Sequence, residues 1–176
     1  EYIFEIEKDI DRLKTITERF SKVGSKLTLE ISSLNKAVEN TFNYIKDRSS
    51  NLIQFSIELP EEDLKCKLNP VLLSWTIENL TKNAIDAMKG RGKLKISLFE
   101  DKNFYKIHVS DSGKGIPALK FKTIFQPGFS TKDRGWGLGL SLSKRIIEDY
   151  HFGKIKVLSS SAESGSVFEI KLPKAT

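Results

Sequence analysis

The apolar residues of this chain repeat with two interleaved periods that never settle into regular strand–helix–strand alternation, and this restricts the fold more than any other feature. Leu27–Thr28–Leu29–Glu30–Ile31 alternates like a strand, as does the stretch from Leu52 to Leu59 through Ile53, Phe55 and Ile57, which ends at Pro60. Between them, Ser33 suits the N-cap of a helix through Ala37, Val38, Phe42 and Ile45. Asn69–Pro70 opens a helix with proline at its first position, and the helix runs to about Lys89 and stops at Gly90. Lys93–Glu100 and Phe104–Ser110 read as a hairpin across Asp101–Lys102–Asn103. A loop rich in glycine and lysine fills roughly 112–136. Leu138–Tyr150 reads as a helix ending before Gly153, and Lys154–Ser160 pairs with Ser166–Leu172 across Glu163–Ser164–Gly165. Elements mixed in this way predict a two-layer α/β sandwich, a mixed sheet with helices on one face.

One long helix precedes that sandwich, over residues 1–22, with Ile3, Ile6, Ile10, Leu13, Thr17 and Phe20 on a single stripe. The stripe is a heptad seam shorter than about three heptads. Spacing alone fits a helix lying on the domain as well as half of a dimerising hairpin. Ser21–Lys26, with Gly24, reads as a hinge, so the chain divides into 1–24 and 25–176. At 176 residues there is room for one sizeable core and a short appendage. Apolar runs such as Val71–Leu73 are too short to span a bilayer, and the acidic, amphipathic Glu1–Asp11 is unlike a secretory leader. A single cysteine, Cys66, excludes an internal disulfide framework and suits a reducing compartment, so a cytoplasmic location is expected. The net charge is +6, but lysines are dispersed among acids, as at Lys8–Asp9, without a dense basic run. A solvated basic surface is expected rather than a nucleic-acid or membrane interface.

Four clusters carry possible chemistry. In Glu78–Asn79–Leu80–Thr81–Lys82–Asn83–Ala84–Ile85–Asp86–Ala87, Asn79 and Asn83 stand one helical turn apart and project from one face. Their amide oxygens are hard, neutral ligands suited to a magnesium shell shared with phosphates, while Glu78 is turned about 100° around the axis. Taken alone, the pair reads as a polar stripe facing water. Asp111–Ser112–Gly113–Lys114–Gly115–Ile116 ends a strand; a carboxylate there accepts a hydrogen bond from an exocyclic amine, which adenine has and guanine lacks at that edge. The bland reading is an ordinary turn. Ile124–Phe125–Gln126–Pro127–Gly128–Phe129–Ser130–Thr131–Lys132 places two phenylalanines around a Pro–Gly turn in a long loop, with Lys132 and Arg134 available for phosphate oxygens or solvent. Gly135–Trp136–Gly137–Leu138–Gly139–Leu140 puts glycines before a helix, where unpaired amides attract anions. It is neither the dinucleotide fingerprint nor a P-loop.

In this order the four clusters resemble the N, G1, F and G2 boxes of the GHKL ATPase superfamily, and within it a sensor histidine kinase. Ser143–Lys144–Arg145–Ile146–Ile147 and the closing Gly165–Ser166–Val167–Phe168–Glu169–Ile170–Lys171–Leu172–Pro173 extend the resemblance over about 27–174. It implies a Bergerat-type ATP-binding fold and a protein-histidine kinase that uses ATP and Mg²⁺. By the same resemblance, Asn83 and Asn79 hold the metal, and Asp111 binds the adenine amine beside Gly113, Gly115 and Ile116. Glu78 becomes the candidate to orient or accept the imidazole proton. Asp86, Thr131, Lys132, Arg134, Gly135, Gly137, Leu138, Gly139 and Leu140 complete the nucleotide site. Residues 117–136 become an ATP lid anchored by Phe125 and Phe129, and 1–22 the second helix of a dimerisation and histidine phosphotransfer hairpin. The implied partners are a histidine-bearing hairpin helix, a second copy of the parent protein and a response regulator receiver domain.

Two departures stand out. Trp136 replaces a residue that is often small in the family. His108 and His151 are followed by Val109 and Phe152 rather than by an acid, so the phosphoacceptor is expected on a segment upstream of Glu1. Clamp-type ATPases of the superfamily carry a catalytic Glu where Asn79 stands, which leaves an ATPase, a serine kinase of the anti-sigma-factor type or a non-catalytic nucleotide sensor as alternatives. Two histidines and one cysteine exclude a zinc centre, and Cys66 has no visible catalytic partner.

Overall fold

The computed structural model describes residues 28–130 and 137–174. The helix expected over 1–22 lies outside them. The main sheet has five strands in the order β2 (Ile53–Glu58), β4 (Gly92–Glu100), β5 (Phe104–Asp111), β7 (Gly165–Pro173) and β6 (Lys154–Ser161). β2 and β4 run parallel; the other neighbours are antiparallel. A separate antiparallel pair joins β1 (Glu30–Ser33) to β3 (Lys65–Leu68). The strand expected at Leu27–Ile31 is found at Glu30–Ser33, the four residues that pair with Leu68 to Lys65 of β3; Leu27 lies outside the described residues. β3 itself had no counterpart in the sequence reading.

Ser33 ends β1 and caps α1 (Leu34–Lys46), its hydroxyl accepting from the Lys36 amide at 3.1 Å. Asn69 caps α2 (Pro70–Ala87) in the same way, accepting from the Leu72 amide at 3.1 Å, with Pro70 in the first turn. α1 buries Leu34, Ala37, Val38, Thr41 and Phe42; α2 buries Leu72, Leu73, Ile77, Leu80 and Ala84. Both pack on the sheet face formed by Leu94, Ile96, Leu98, Ile107, Val109, Phe168, Ile170 and Leu172. Strand alternation sends Lys106, His108, Lys156 and Glu169 to the other face. There His108 Nε2 meets Glu169 Oε2 at 2.9 Å, with Lys156 and Lys171 at 3.4 and 3.6 Å. Burial pushes the Glu169 carboxyl up, but His108 and the two ammonium groups outweigh it and hold the pKa below its usual value. His108 is thus a sheet-face residue in an ion-pair network. No helix among the described residues is long and apolar enough to cross a membrane.

The helix expected from Leu138 to Tyr150 is two pieces. α3 (Gly139–Arg145) is α-helical, and Ile146–Tyr150 widens into a π turn. His151 accounts for the widening: its backbone N–H and ring Nδ1 both reach the Ile146 carbonyl, at 3.2 and 2.8 Å. Its Nε2 accepts from the Asn69 amide at 3.0 Å. An amide can only donate, so the ring is neutral, with the proton on Nδ1. The side chain, 1% exposed, straps the end of the α3 segment to the cap of α2.

This strap has a pH signature. Burial is the main force lowering the His151 pKa from 6.5, against two hydrogen bonds that raise it. Below about 6.5 the unfolded imidazole takes up a proton that the folded one resists, so the contribution of His151 to stability is complete above that pH and is lost on acidification. Urea midpoints measured from pH 7.5 to 5.5 should fall in the wild type, with up to about 1.4 kcal/mol per pH unit from this group. The slope should be shallower in His151→Gln.

Candidate functional site

α2 is the spine of the site. Along one side it carries Glu78, Asn79 and Asn83, all half-buried, followed by the exposed Asp86 near its C-terminus. At that end the chain leaving β5 folds back onto it. Ser112 N donates to Lys93 O at 3.1 Å, Lys114 N to Ala87 O at 3.3 Å, and Ile116 N to Ser160 Oγ at 2.7 Å. A Cβ on Gly113 would lie 2.8 Å from Ala87 Cβ, and one on Gly115 2.3 Å from Ser161 O, so the turn approaches its neighbours as only glycine permits.

Beneath this turn lies Asp111, 7% exposed. Its Oδ1 accepts from Gly113 N at 2.7 Å, and the Ser166 backbone amide donates to the carboxylate from the paired position on β7. Burial pushes its pKa up, while these two amides pull it down without cancelling the effect of burial. Such an acid, held in place and only partly solvated, is suited to accept from an amine. Ser166, 2% exposed, contacts Ser160 Oγ at 2.9 Å and belongs to the same floor. Sequence reasoning placed it in the closing motif but not in the site, because its place beside Asp111 comes from the β5–β7 register, which the sequence does not show.

Near the other end of the asparagine row, α3 packs across α2. Asn79 Nδ2 donates to Ser143 Oγ at 2.9 Å, and a Cβ on Gly139 would fall 2.4 Å from Asn79 Oδ1. Gly137 meets the preceding loop, its carbonyl accepting from Gly128 N at 3.0 Å. Leu138 and Leu140 are half-buried. Phe125 is buried against Phe168 with ring centroids 6.3 Å apart, and Phe129 packs on the core, so both aromatic residues tie the described part of the loop to the core. Two short 3₁₀ turns, Ala118–Lys120 and Thr123–Phe125, give structure to what the sequence showed only as loop. Thr131, Lys132, Arg134, Gly135 and Trp136 lie outside the described residues.

From Asn79 to Ala87, the contact point of the Asp111 turn, α2 rises roughly 12 Å. The site therefore has a carboxylate at one end and a glycine-backed amide group at the other, which fits an elongated ligand with an amine at one tip and anionic groups at the far tip. Among the described residues no three His, Cys, Asp or Glu side chains gather into a metal cage. Asparagine oxygens instead fit a hard cation whose shell is completed by ligand oxygens and water, as magnesium prefers. Cys66 takes no part: it is fully buried, and burial pushes its thiol up to about 11.

The model of the histidine kinase-, DNA gyrase B- and HSP90-like ATPase family matches residues 69–176. The sensor histidine kinase ZraS of Escherichia coli (strain K12) is 32% identical over 169 residues, covering 94% of this chain and 36% of that protein. The signal transduction histidine-protein kinase AtoS of the same strain is 33% identical over 178 residues, 98% of this chain and 29% of that protein. The chain thus spans about a third of the length of these relatives. The catalytic domain of histidine kinase ThkA superposes with a TM-score of 0.76 at 32% identity, covering 85% of this chain and all of that one. ThkA in complex with the response regulator protein TrrA gives a TM-score of 0.79 at 30% identity, covering 99% and 51%. The fold is that of histidine kinase catalytic domains.

Proposed function

The chain belongs to the histidine kinase-, DNA gyrase B- and HSP90-like ATPase family, within it to the sensor histidine kinases, and on that premise we propose that it binds ATP and transfers its γ-phosphoryl group to a histidine on another segment of a longer parent protein. The observation that carries this reading is the buried Asp111 carboxylate, fixed by two backbone amides at one end of the asparagine row. It supports adenine recognition through the exocyclic amine. Asn83 and Asn79 are the residues that would hold Mg²⁺, which when bound neutralises phosphate charge. Gly137 and Gly139 let the backbone approach the phosphates. In the transfer, the γ-phosphorus leaves the oxygen bridging it to the β-phosphate and bonds to an imidazole nitrogen; ADP departs and the ring loses its N–H proton. Glu78 takes or orients that proton.

The partners that follow are a histidine-bearing hairpin helix, a second copy of the parent and a response regulator receiver domain, with this domain on the cytoplasmic side. A response-regulator complex of a protein 30% identical to this chain supports the last of the three partners. The test is transfer of labelled phosphate from ATP to the histidine-bearing parent. Asn83→Ala should abolish magnesium-dependent ATP binding and lower transfer on the order of 100-fold or more. Glu78→Gln should bind ATP as the wild type does and transfer slowly, by about 10²-fold. Full transfer in Glu78→Gln would remove that residue from the chemistry while leaving the nucleotide site in place.

A further inference from the structure

The function proposed above needs a carboxylate whose direction is set from two separate segments. Gly113 N, in the turn after β5, donates to Asp111 Oδ1 at 2.7 Å, and the Ser166 amide on β7 donates to the same carboxylate. Two amides on different segments fix one orientation only while the segments keep their relative places. Main-chain bonds tie the turn to β4 and α2, through Ser112 N to Lys93 O and Lys114 N to Ala87 O. Towards the β6–β7 hairpin the turn is held by the side chain of Ser160, the register partner of Ser166. Ser160 Oγ accepts from Ile116 N at 2.7 Å, lies 2.9 Å from Ser166 Oγ and is 3.2 Å from Gly165 O. An amide can only donate, so the Ile116 contact has one direction, whichever of the two serine hydroxyls donates to the other. One half-buried oxygen thus joins the turn that carries Gly113 to the strand that carries Ser166.

We propose that Ser160 is a positioning residue for adenine recognition: by accepting from Ile116 N beside Ser166 it locks the turn to the hairpin and keeps the Asp111 carboxylate aimed at the exocyclic amine. This rests on the nucleotide-site reading above. Ser160 acts through Asp111, so its removal should cost the part of the affinity that the amine supplies and spare the rest.

The experiment is calorimetric titration, with Mg²⁺ present, of ATP and of purine riboside triphosphate, which has the rings and phosphates of ATP without the exocyclic amine. Four proteins are compared: wild type, Ser160→Ala, Asp111→Ala and the double variant. The wild type should prefer ATP. In Ser160→Ala the ATP affinity should fall by about 10-fold, the loss of one oriented hydrogen bond, and the affinity for the amine-free nucleotide by less than about 2-fold. In the Asp111→Ala background Ser160→Ala should change ATP affinity by less than about 2-fold, a loss of coupling that a general packing defect would not produce. A readout without nucleotide accompanies it: the Gly113 amide hydrogen should exchange faster in Ser160→Ala than in the wild type. Ser160→Thr keeps the hydroxyl on a side chain suited to a strand and should keep the preference for ATP. Ser160→Cys fills the space with a weak acceptor and should lose that preference with the hairpin intact, which covers the case in which the alanine variant folds poorly. An equal fall for the two nucleotides in Ser160→Ala, or an undiminished preference for ATP, overturns the positioning role while the site stands. A wild type that does not distinguish the two nucleotides overturns the amine reading and this one with it.

Discussion

Asp111→Ala should weaken ATP and ADP binding on the order of 100-fold, with the protein still folded. The carboxylate is already made rigid by Gly113 and Ser166, so an adenine amine meets an acceptor that requires no further ordering. Removing it leaves those two amides, and any bound amine, short of a partner. The same variant should lose its preference for adenine over guanine nucleotides, because the discriminating group is gone. Asp111→Asn retains one carbonyl acceptor and should lose less, about 10-fold. The raised pKa of Asp111 adds a pH effect. The acceptor carboxylate protonates at a pH above the usual carboxylate value of 3.8, so affinity falls on acidification earlier than an exposed aspartate would allow. Calorimetry on the three proteins checks all of this, and unchanged affinity in Asp111→Ala would place adenine elsewhere.

The largest effect on stability is expected at Gly165. Its φ is +77°, a conformation that costs an L-residue about 1–2 kcal/mol. Gly90, with φ +75°, has the same backbone requirement but different surroundings. A Cβ at Gly90 meets nothing within 4 Å; at Gly165 it would fall 1.9 Å from the Asp111 carbonyl oxygen. Gly90→Ala should therefore cost only the backbone term, about 1 kcal/mol. Gly165→Ala adds a collision with main chain on the neighbouring strand and should cost about 3–4 kcal/mol. Denaturant midpoints separate the two. Because the displaced atom belongs to Asp111, Gly165→Ala should also lower ATP affinity, whereas Gly90→Ala should not.

Much of the architecture was legible because local chemistry marked it. Ser33 and Asn69 are cap residues, and Pro70 is tolerated only at a helix start, so α1 and α2 began where expected. β4–β5 and β6–β7 are hairpins with turn residues between alternating runs. β3 went unread because Lys65–Cys66–Lys67–Leu68 is too short to establish a period of two; its partner β1 settles it. The break at Ile146 was hidden because the π turn is closed by His151 reaching the Ile146 carbonyl five residues back, with the ring held there by Asn69, 82 positions away. Asp111, Asn79 and Asn83 were identifiable as residue types in a recognised order. The supporting residues Ser143, Ser160 and Ser166 were not, since a serine acquires meaning only from the atom it faces.

The route by which the chain folds follows from the strand order. β4–β5 and β6–β7 are neighbours in sequence, and hairpins of this kind close on the order of microseconds. The β5–β7 ladder between them joins Asp111 to Ser166 across more than fifty residues that include the whole α3 segment, so it must wait for the slower search that long-range pairing imposes. The floor beneath the Asp111 carboxylate is the end of that ladder. A half-assembled chain can own both hairpins and the helices α1, α2 and α3 and still lack the acceptor geometry, so competence to hold an adenine ring marks the completion of folding rather than an early stage of it.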